Sequence, residues 1–276
     1  FQALKSRADK LEGETGEIAA LLIELSDLAY VREEDANFVR LRELLRSRSQ
    51  GKPDTLLEPL GPAVTKLAGE RAGARAIWIA GNAAQYPYSV GYLRRPFRTG
   101  DLDAHLPRVL LKISALLWME AGEFSLEEYL TKPDYKVSNI YRVNQAIPDV
   151  IAHRLDEKDE QVEASLREIV LGENQTALLS RDMISGMLMS RREELYKLVG
   201  DLLVAARLQE GLRQSIVESM DFGTLDAHLY LLKLIQDNGF VRYASVVRAA
   251  SVWTGMPLEA ADQRVASRVL EQLHTA

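Results

Sequence analysis

The chain has 276 residues, 47% of them hydrophobic and 27% charged, with a formal net charge of −6 and no cysteine. That length suffices to bury roughly 70–75% of the unfolded surface, so a core can form without covalent staples. The acidic balance argues against a globally basic nucleic-acid binder. The absence of thiols excludes disulfides, cysteine nucleophiles and thiolate zinc sites, and it fits a cytoplasmic protein.

The N-terminal FQALKSRADKLEGE lacks the apolar centre of a signal peptide. The chain opens on Phe1 rather than Met, which leads us to expect a fragment of a longer protein or a processed form. Ile18, Leu21, Leu22, Leu25, Leu28 and Ala29 recur at helical spacing and predict one amphipathic face. Phe38, Leu41, Leu44 and Leu45 repeat the pattern, and Gly51 with Pro53 marks a stop and a new start. Helices are expected over residues 1–30, 35–50, 53–82, 102–121 and 137–154. The most apolar of them contains VLLKISALLWM (109–119), which is too short to span a bilayer and carries Lys112.

Between two of these helices lies QYPYSVGYLRRPFRTGD, residues 85–101. Pro87, Gly91, Pro96 and Gly100 preclude a regular helix there. The stretch sets Tyr86, Tyr88, Tyr92 and Phe97 among Arg94, Arg95 and Arg98, and residues 71–100 contain five arginines but no Asp or Glu. As a ligand site, the arginines would fork onto phosphates and the rings would stack on bases. As a structural corner, the rings would plug a helix seam while the arginines bond carboxylates and helix C-terminal carbonyls. Three phosphate contacts would give a salt slope of only about −2.7, too shallow for tight non-specific binding. The structural reading is therefore the expectation. Asp101, Asp103 and His105 could suggest a metal site, but an N-cap and a favourable first turn explain the two carboxylates, and no metal or cofactor is expected.

Further along, Leu155–Glu163 (LDEKDEQVE) reads as an acidic helix start, and Asn174-Gln-Thr176 as a chance sequon. Ser125-Leu-Glu-Glu128 and Ser190-Arg-Arg-Glu193 both match a capping box. Leu195, Leu198, Val199, Leu202 and Leu203 form a clean helical stripe, and Leu198, Leu202, Leu229 and Leu232 are expected to hold neighbouring helices together. Met183, Met187, Met189 and Met220 read as core fillers in preference to a methionine-lined groove. His153 and His228 read as isolated interhelical or surface residues. Asn238-Gly239 suits a left-handed cap, and Thr254-Gly255-Met-Pro257 opens a last helix to about His274. Arg242, Tyr243, Arg248 and Trp253 form a second Arg/aromatic set, read as structural. Helix pairs beginning near Asp156, Arg191, Thr224 and Leu258 give a spacing of roughly 34 residues, as in helix-hairpin solenoids.

Three runs, WIAGNAAQYPYSVGYLRRPFRT, MISGMLMSRREELYKLVGDLLVAARLQEGLRQSIVESMD and FVRYASVVRAASVWTG, resemble a family of large bacterial proteins of unknown function. Members of that family carry a C-terminal region likened to a molybdate metabolism regulator (MolR). The resemblance covers about residues 75–255. It implies a helical, repeat-rich segment of a much larger cytoplasmic protein and supplies no catalytic residues.

Together these readings predict an all-α chain: an irregular helical part over 1–154, then HEAT-like pairs (an α-solenoid) over 155–276. No nucleotide-binding, hydrolase or metalloprotease motif is present. A non-enzymatic scaffold or protein-interaction segment is the functional expectation, with other segments of the same larger protein or a protein partner as its partners and no membrane. Two alternatives stand beside it. One is nucleic-acid or phosphate-ligand binding through Tyr86, Tyr88, Tyr92, Arg94, Arg95 and Arg98. The other is part of an enzyme whose site is completed elsewhere.

Overall fold

The structure, a computed structural model, describes residues 1–28, 31–49, 57–85, 102–132, 135, 140–172, 178–205 and 208–240. The protein is all-α, and no strand occurs among the described residues. They fall into two compact units, one ending at Ile147 and one beginning at Pro148.

The first unit contains α1 (Gln2–Ala8), α2 (Gly13–Asp27), α3 (Ala36–Ser49), α4 (Leu60–Ala68), α5 (Glu70–Gln85), α6 (Leu102–Trp118), α7 (Leu126–Thr131) and α8 (Ile140–Val143). Helix α2 lies at its centre, against α1, α3, α4 and α6. Its apolar stripe explains the position: Ile18, Ala19, Leu22, Ile23 and Leu25 are buried. The stripe is narrower than its spacing predicts, because Leu21 is half-buried and Leu28 is exposed. Helix α6 buries Val109, Leu110, Ile113, Leu116 and Leu117 almost completely, so its apolar run serves a core. A wide turn, Met119–Glu123, closes α6, with Gly122 at φ +90°.

Three expected helices are each divided; the described part of 137–154 forms α8 and a second helix from Ile147, with a turn at 144–146 between them. The described part of 1–30 forms α1 and α2, parted before Gly13, whose φ is +68°. The described part of 53–82 forms α4 and α5, parted at Gly69 with φ +101°. Only glycine takes such angles without steric cost. The α4–α5 hairpin is tight on both sides of that turn: a Cβ on Gly73 would lie 1.7 Å from Thr65 Oγ1, and one on Gly61 2.1 Å from Ile77 Cγ1.

The second unit contains α9 (Ile147–Asp156) from Pro148 onward, α10 (Glu160–Leu171), α11 (Arg181–Met189), α12 (Glu193–Val204), α13 (Glu210–Ser219) and α14 (Leu225–Asp237). Taken in twos, the first helices begin at Ile147, Arg181 and Glu210, 34 and 29 residues apart; the second begin at Glu160, Glu193 and Leu225, 33 and 32 apart. Like helix packs on like: α11 on α13, and α12 on α10 and α14. Glycines let the backbones approach. A Cβ on Gly186 of α11 would meet Ile151 of α9 at 2.6 Å, and one on Gly200 of α12 would meet Tyr230 of α14 at 2.5 Å. Asp156, Arg191 and Thr224, expected to begin the pairs, instead fall just before the second helix of each. Leu258 lies outside the described residues.

The core of this unit follows the apolar stripes. Leu195, Leu198, Val199, Leu202, Leu203 and Leu232 are buried, whereas Leu229 is only half-buried. Met183, Met187, Met189 and Met220 are all buried, as gap-filling core residues. Asp159, Ser180 and Thr224 cap α10, α11 and α14 by accepting from the amides of Val162, Met183 and Ala227. Helix α14 ends in a Schellman turn: Gly239 has φ +66°, its N–H donates to the Gln236 carbonyl, and the Phe240 N–H donates to the Ile235 carbonyl at 2.9 Å.

Candidate functional site

The Tyr/Arg candidates, Tyr86, Tyr88, Tyr92, Arg94, Arg95 and Arg98, lie outside the described residues, as do Phe97, Asp101 and the second set at Arg242, Tyr243, Arg248 and Trp253. Asp103 and His105 fall in the first turns of α6. Among the described residues no three His, Cys, Asp or Glu side chains gather to hold a metal.

Four described arginines, Arg7, Arg142, Arg181 and Arg213, which sequence reading did not single out, bind the C-terminal carbonyls of helices other than their own. Arg142 donates to Ser26 O at 2.6 Å and Asp27 O at 3.1 Å, at the end of α2, with its guanidinium 4.7 Å from the Trp118 ring centroid. Trp118 in turn stacks on Phe1 at 4.3 Å, and its indole N–H donates to Ser26 O. Arg7 donates to Leu67 O near the end of α4. Arg213 reaches Leu203 O and Ala205 O at the end of α12 and covers the Phe240 ring at 4.8 Å. Arg181 donates to Glu218 O in the last turn of α13. Each places a cation at the negative end of a helix dipole, worth about 0.3–1 kcal/mol and up to ~2 where partly buried.

A denser polar joint links α9 and α10 to α11 and α12. Asp156 Oδ1 accepts from Ser190 Oγ at 2.6 Å and from the Arg191 amide at 2.9 Å. Arg192 donates to Glu163 at 2.5 Å and pairs with Glu194. Arg167 donates to the other Glu163 oxygen at 2.8 Å. Partial burial alone would raise the Glu163 pKa, but hydrogen bonds from Arg167 and Arg192 outweigh it and hold the carboxyl below its ordinary value. The same balance, burial outweighed by Glu163 and Glu194, raises Arg192. The Ser190–Glu193 string is therefore not a capping box. The N-cap of α12 is Arg192, which makes no side-chain cap bond, while the Ser190 hydroxyl is directed to Asp156. The other string behaves as half a box: Ser125 Oγ accepts from the Glu128 amide, but the Ser125 amide donates to the Tyr135 hydroxyl.

On the seam between α12 and α14, Tyr196 and Tyr230 lie 5.5 Å apart with their rings tilted by 52°. Burial first, and then the carboxylates of Glu193 and Asp226 about Tyr196 and of Asp201 about Tyr230, raise both phenol pKa values. Lys197 is paired with Glu193 at 2.5 Å. Below that seam His228 is 1% exposed, and its Nδ1–H donates to Met220 O at 3.0 Å. Burial depresses its pKa to about 4, so the ring is neutral. His153 is buried on α9, with Nδ1 3.3 Å from Glu157 Oε2. Both histidines are thus interior rather than surface residues. Among the described residues, the arrangement offers joints and an acidic, aromatic surface.

None of the curated proteins and none of the solved structures compared with the chain matches it. One family model does, over residues 18–276, and that family carries no assigned function. The chain belongs to this family of unknown function, DUF5724.

Proposed function

We propose that the chain is a non-enzymatic scaffold, a HEAT-type helix stack that presents an interaction surface inside a larger cytoplasmic protein. The observation that carries this reading is the like-on-like packing of α10, α12 and α14, each set off from the last by 32–33 residues. Arrays of that kind expose a continuous surface formed by successive equivalent helices. The polar joint at Asp156, Ser190 and Arg192 supports it, since it fixes one helix pair to the next. The three sequence runs that resemble a family of large bacterial proteins of unknown function agree with a repeat-rich segment of such a protein.

Cross-linking mass spectrometry on the full-length protein in cells tests the reading. Lys197 and Lys233, both exposed on α12 and α14, are the reporters. Recurrent links from both lysines to one other polypeptide segment are expected. Links confined to this chain, with a small molecule co-purifying in stoichiometric amount, would overturn the scaffold reading.

A further inference from the structure

The tyrosine pair on the α12–α14 seam stands apart from other rings of the chain. Phe38, Trp118, Phe222 and Phe240 each lie under an arginine of the chain itself, and Phe1 lies under Lys5. Tyr196 and Tyr230 have carboxylates about them instead: Glu193 and Asp226 near the first, Asp201 near the second. Glu193 is neutralised by Lys197. Asp201 and Asp226 are exposed, and neither makes an ion pair or side-chain hydrogen bond among the described residues. Glu193, Tyr196, Lys197, Gly200 and Asp201 share one face of α12 at i, i+3, i+4, i+7 and i+8. Asp226, Tyr230 and Lys233 share one face of α14 at i, i+4 and i+7. Gly200, with Tyr230 packed over it, brings the two stripes together.

We propose that this seam docks an arginine-bearing segment of a partner polypeptide, with a guanidinium on the tyrosine rings and its N–H groups directed to Asp201 and Asp226. The proposal deepens the interaction reading above and rests on it. Charge complementarity selects the occupant: with Glu193 and Lys197 paired to each other, the carboxylates of Asp201 and Asp226 outnumber the remaining cation of the two stripes, Lys233, in a chain of net charge −6. The rings select arginine over lysine, because a planar guanidinium stacks on an aromatic face while its edge still donates hydrogen bonds. A polypeptide suits the site better than a lone cation, because one exposed ion pair contributes little and several must act together.

The test uses the whole chain and a fluorescently labelled, alanine-rich helical peptide with three arginines, titrated by anisotropy at low ionic strength and again at about 0.15 M salt. Lysine and glutamate versions of the peptide serve as controls. The arginine peptide is expected to bind saturably, more tightly than the lysine peptide, and the glutamate peptide not at all. Asp201→Asn with Asp226→Asn should weaken binding by roughly three- to tenfold while the melting temperature falls only slightly, because both side chains are exposed and unpaired and only the first-turn charge of Asp226 is lost to α14. Tyr196→Leu, which keeps an apolar side chain at the seam, should remove the preference for arginine over lysine. Equal binding of the arginine and lysine peptides by wild type, undiminished binding by the double variant, or no binding at all would each overturn the proposal. Cross-links from Lys197 and Lys233 to a partner would still stand in that event, so the scaffold reading is tested separately.

Discussion

Replacing Gly73 by alanine sets two effects of known size against each other. Helix propensity favours alanine by about 1 kcal/mol in a helix interior. Packing opposes it: the new methyl would lie 1.7 Å from Thr65 Oγ1, 2.8 Å from its Cβ and 3.0 Å from its backbone Cα. The Thr65 hydroxyl is itself tied to Gly61 O at 2.9 Å, so it cannot simply swing away. Overpacking of this kind costs typically about 1–3 kcal/mol, so a net loss of up to about 2 kcal/mol is expected. Gly61→Ala provides the contrast. Its three nearest neighbours all belong to the Ile77 side chain, which is 55% exposed and has room to rotate toward solvent. That variant should lie within about 0.5 kcal/mol of wild type or gain slightly. Urea melts followed by tryptophan fluorescence provide the assay, since Trp78 and Trp118 both lie in the first unit. Thr65→Gly combined with Gly73→Ala moves the methyl across the interface and should cost less than the sum of the single changes, by at least about 0.5 kcal/mol. Strict additivity, or a Gly73→Ala variant more stable than wild type, would refute the close-packing argument.

His228 makes stability depend on pH. Its folded pKa, about 4, lies below the ordinary value of 6.5, so the unfolded chain binds more protons between those limits. Stability is full above pH 6.5 and falls as pH drops through the window, by about 3 kcal/mol in all; His228→Gln should flatten that part of a pH series of melts. Ser190→Ala should cost about 1–2 kcal/mol, because Asp156 loses a buried hydroxyl donor, whereas Glu193→Ala, equally damaging if the string were a capping box, should change the melt by no more than about 0.5 kcal/mol.

Local signals were legible in the sequence and non-local ones were not. The α12 stripe from Leu195 to Leu203 is a one-helix pattern, and the structure buries all of it. Ser125 and Ser190 begin the same four-residue string, yet only Ser125 caps, because Asp156, 34 residues upstream of Ser190, takes the second hydroxyl. No window on the sequence contains that competitor. Gly13 and Gly69 each part an expected helix at a positive φ, which the apolar spacing on either side does not reveal. The arginine contacts were hidden because they are non-local, since Arg7 and Leu67 are 60 residues apart and Arg142 and Ser26 are 116 apart. The tyrosine seam needed α12 and α14 side by side before its carboxylates met, and neither helix alone advertises it. The Tyr/Arg stretch was the most conspicuous segment in the sequence, but it lies outside the described residues.

The reach of Arg142 bears on the order in which the two units can be completed during synthesis. Helix α2 forms the centre of the first unit, but its last carbonyls, on Ser26 and Asp27, are satisfied by a residue made more than a hundred positions later. Until Arg142 has left the ribosome, the Trp118 ring lacks its guanidinium and the Asp27 carbonyl at the end of α2 lacks that donor. The first unit therefore closes late, and by loops of high closure entropy. The second unit grows differently. Asp156 finds Ser190 after 34 residues, and the Leu188 carbonyl finds the Thr224 amide after 36, so each helix pair can settle on the one before it as soon as it appears. One chain thus joins a part that must wait for its own far end to a part that assembles as it is made.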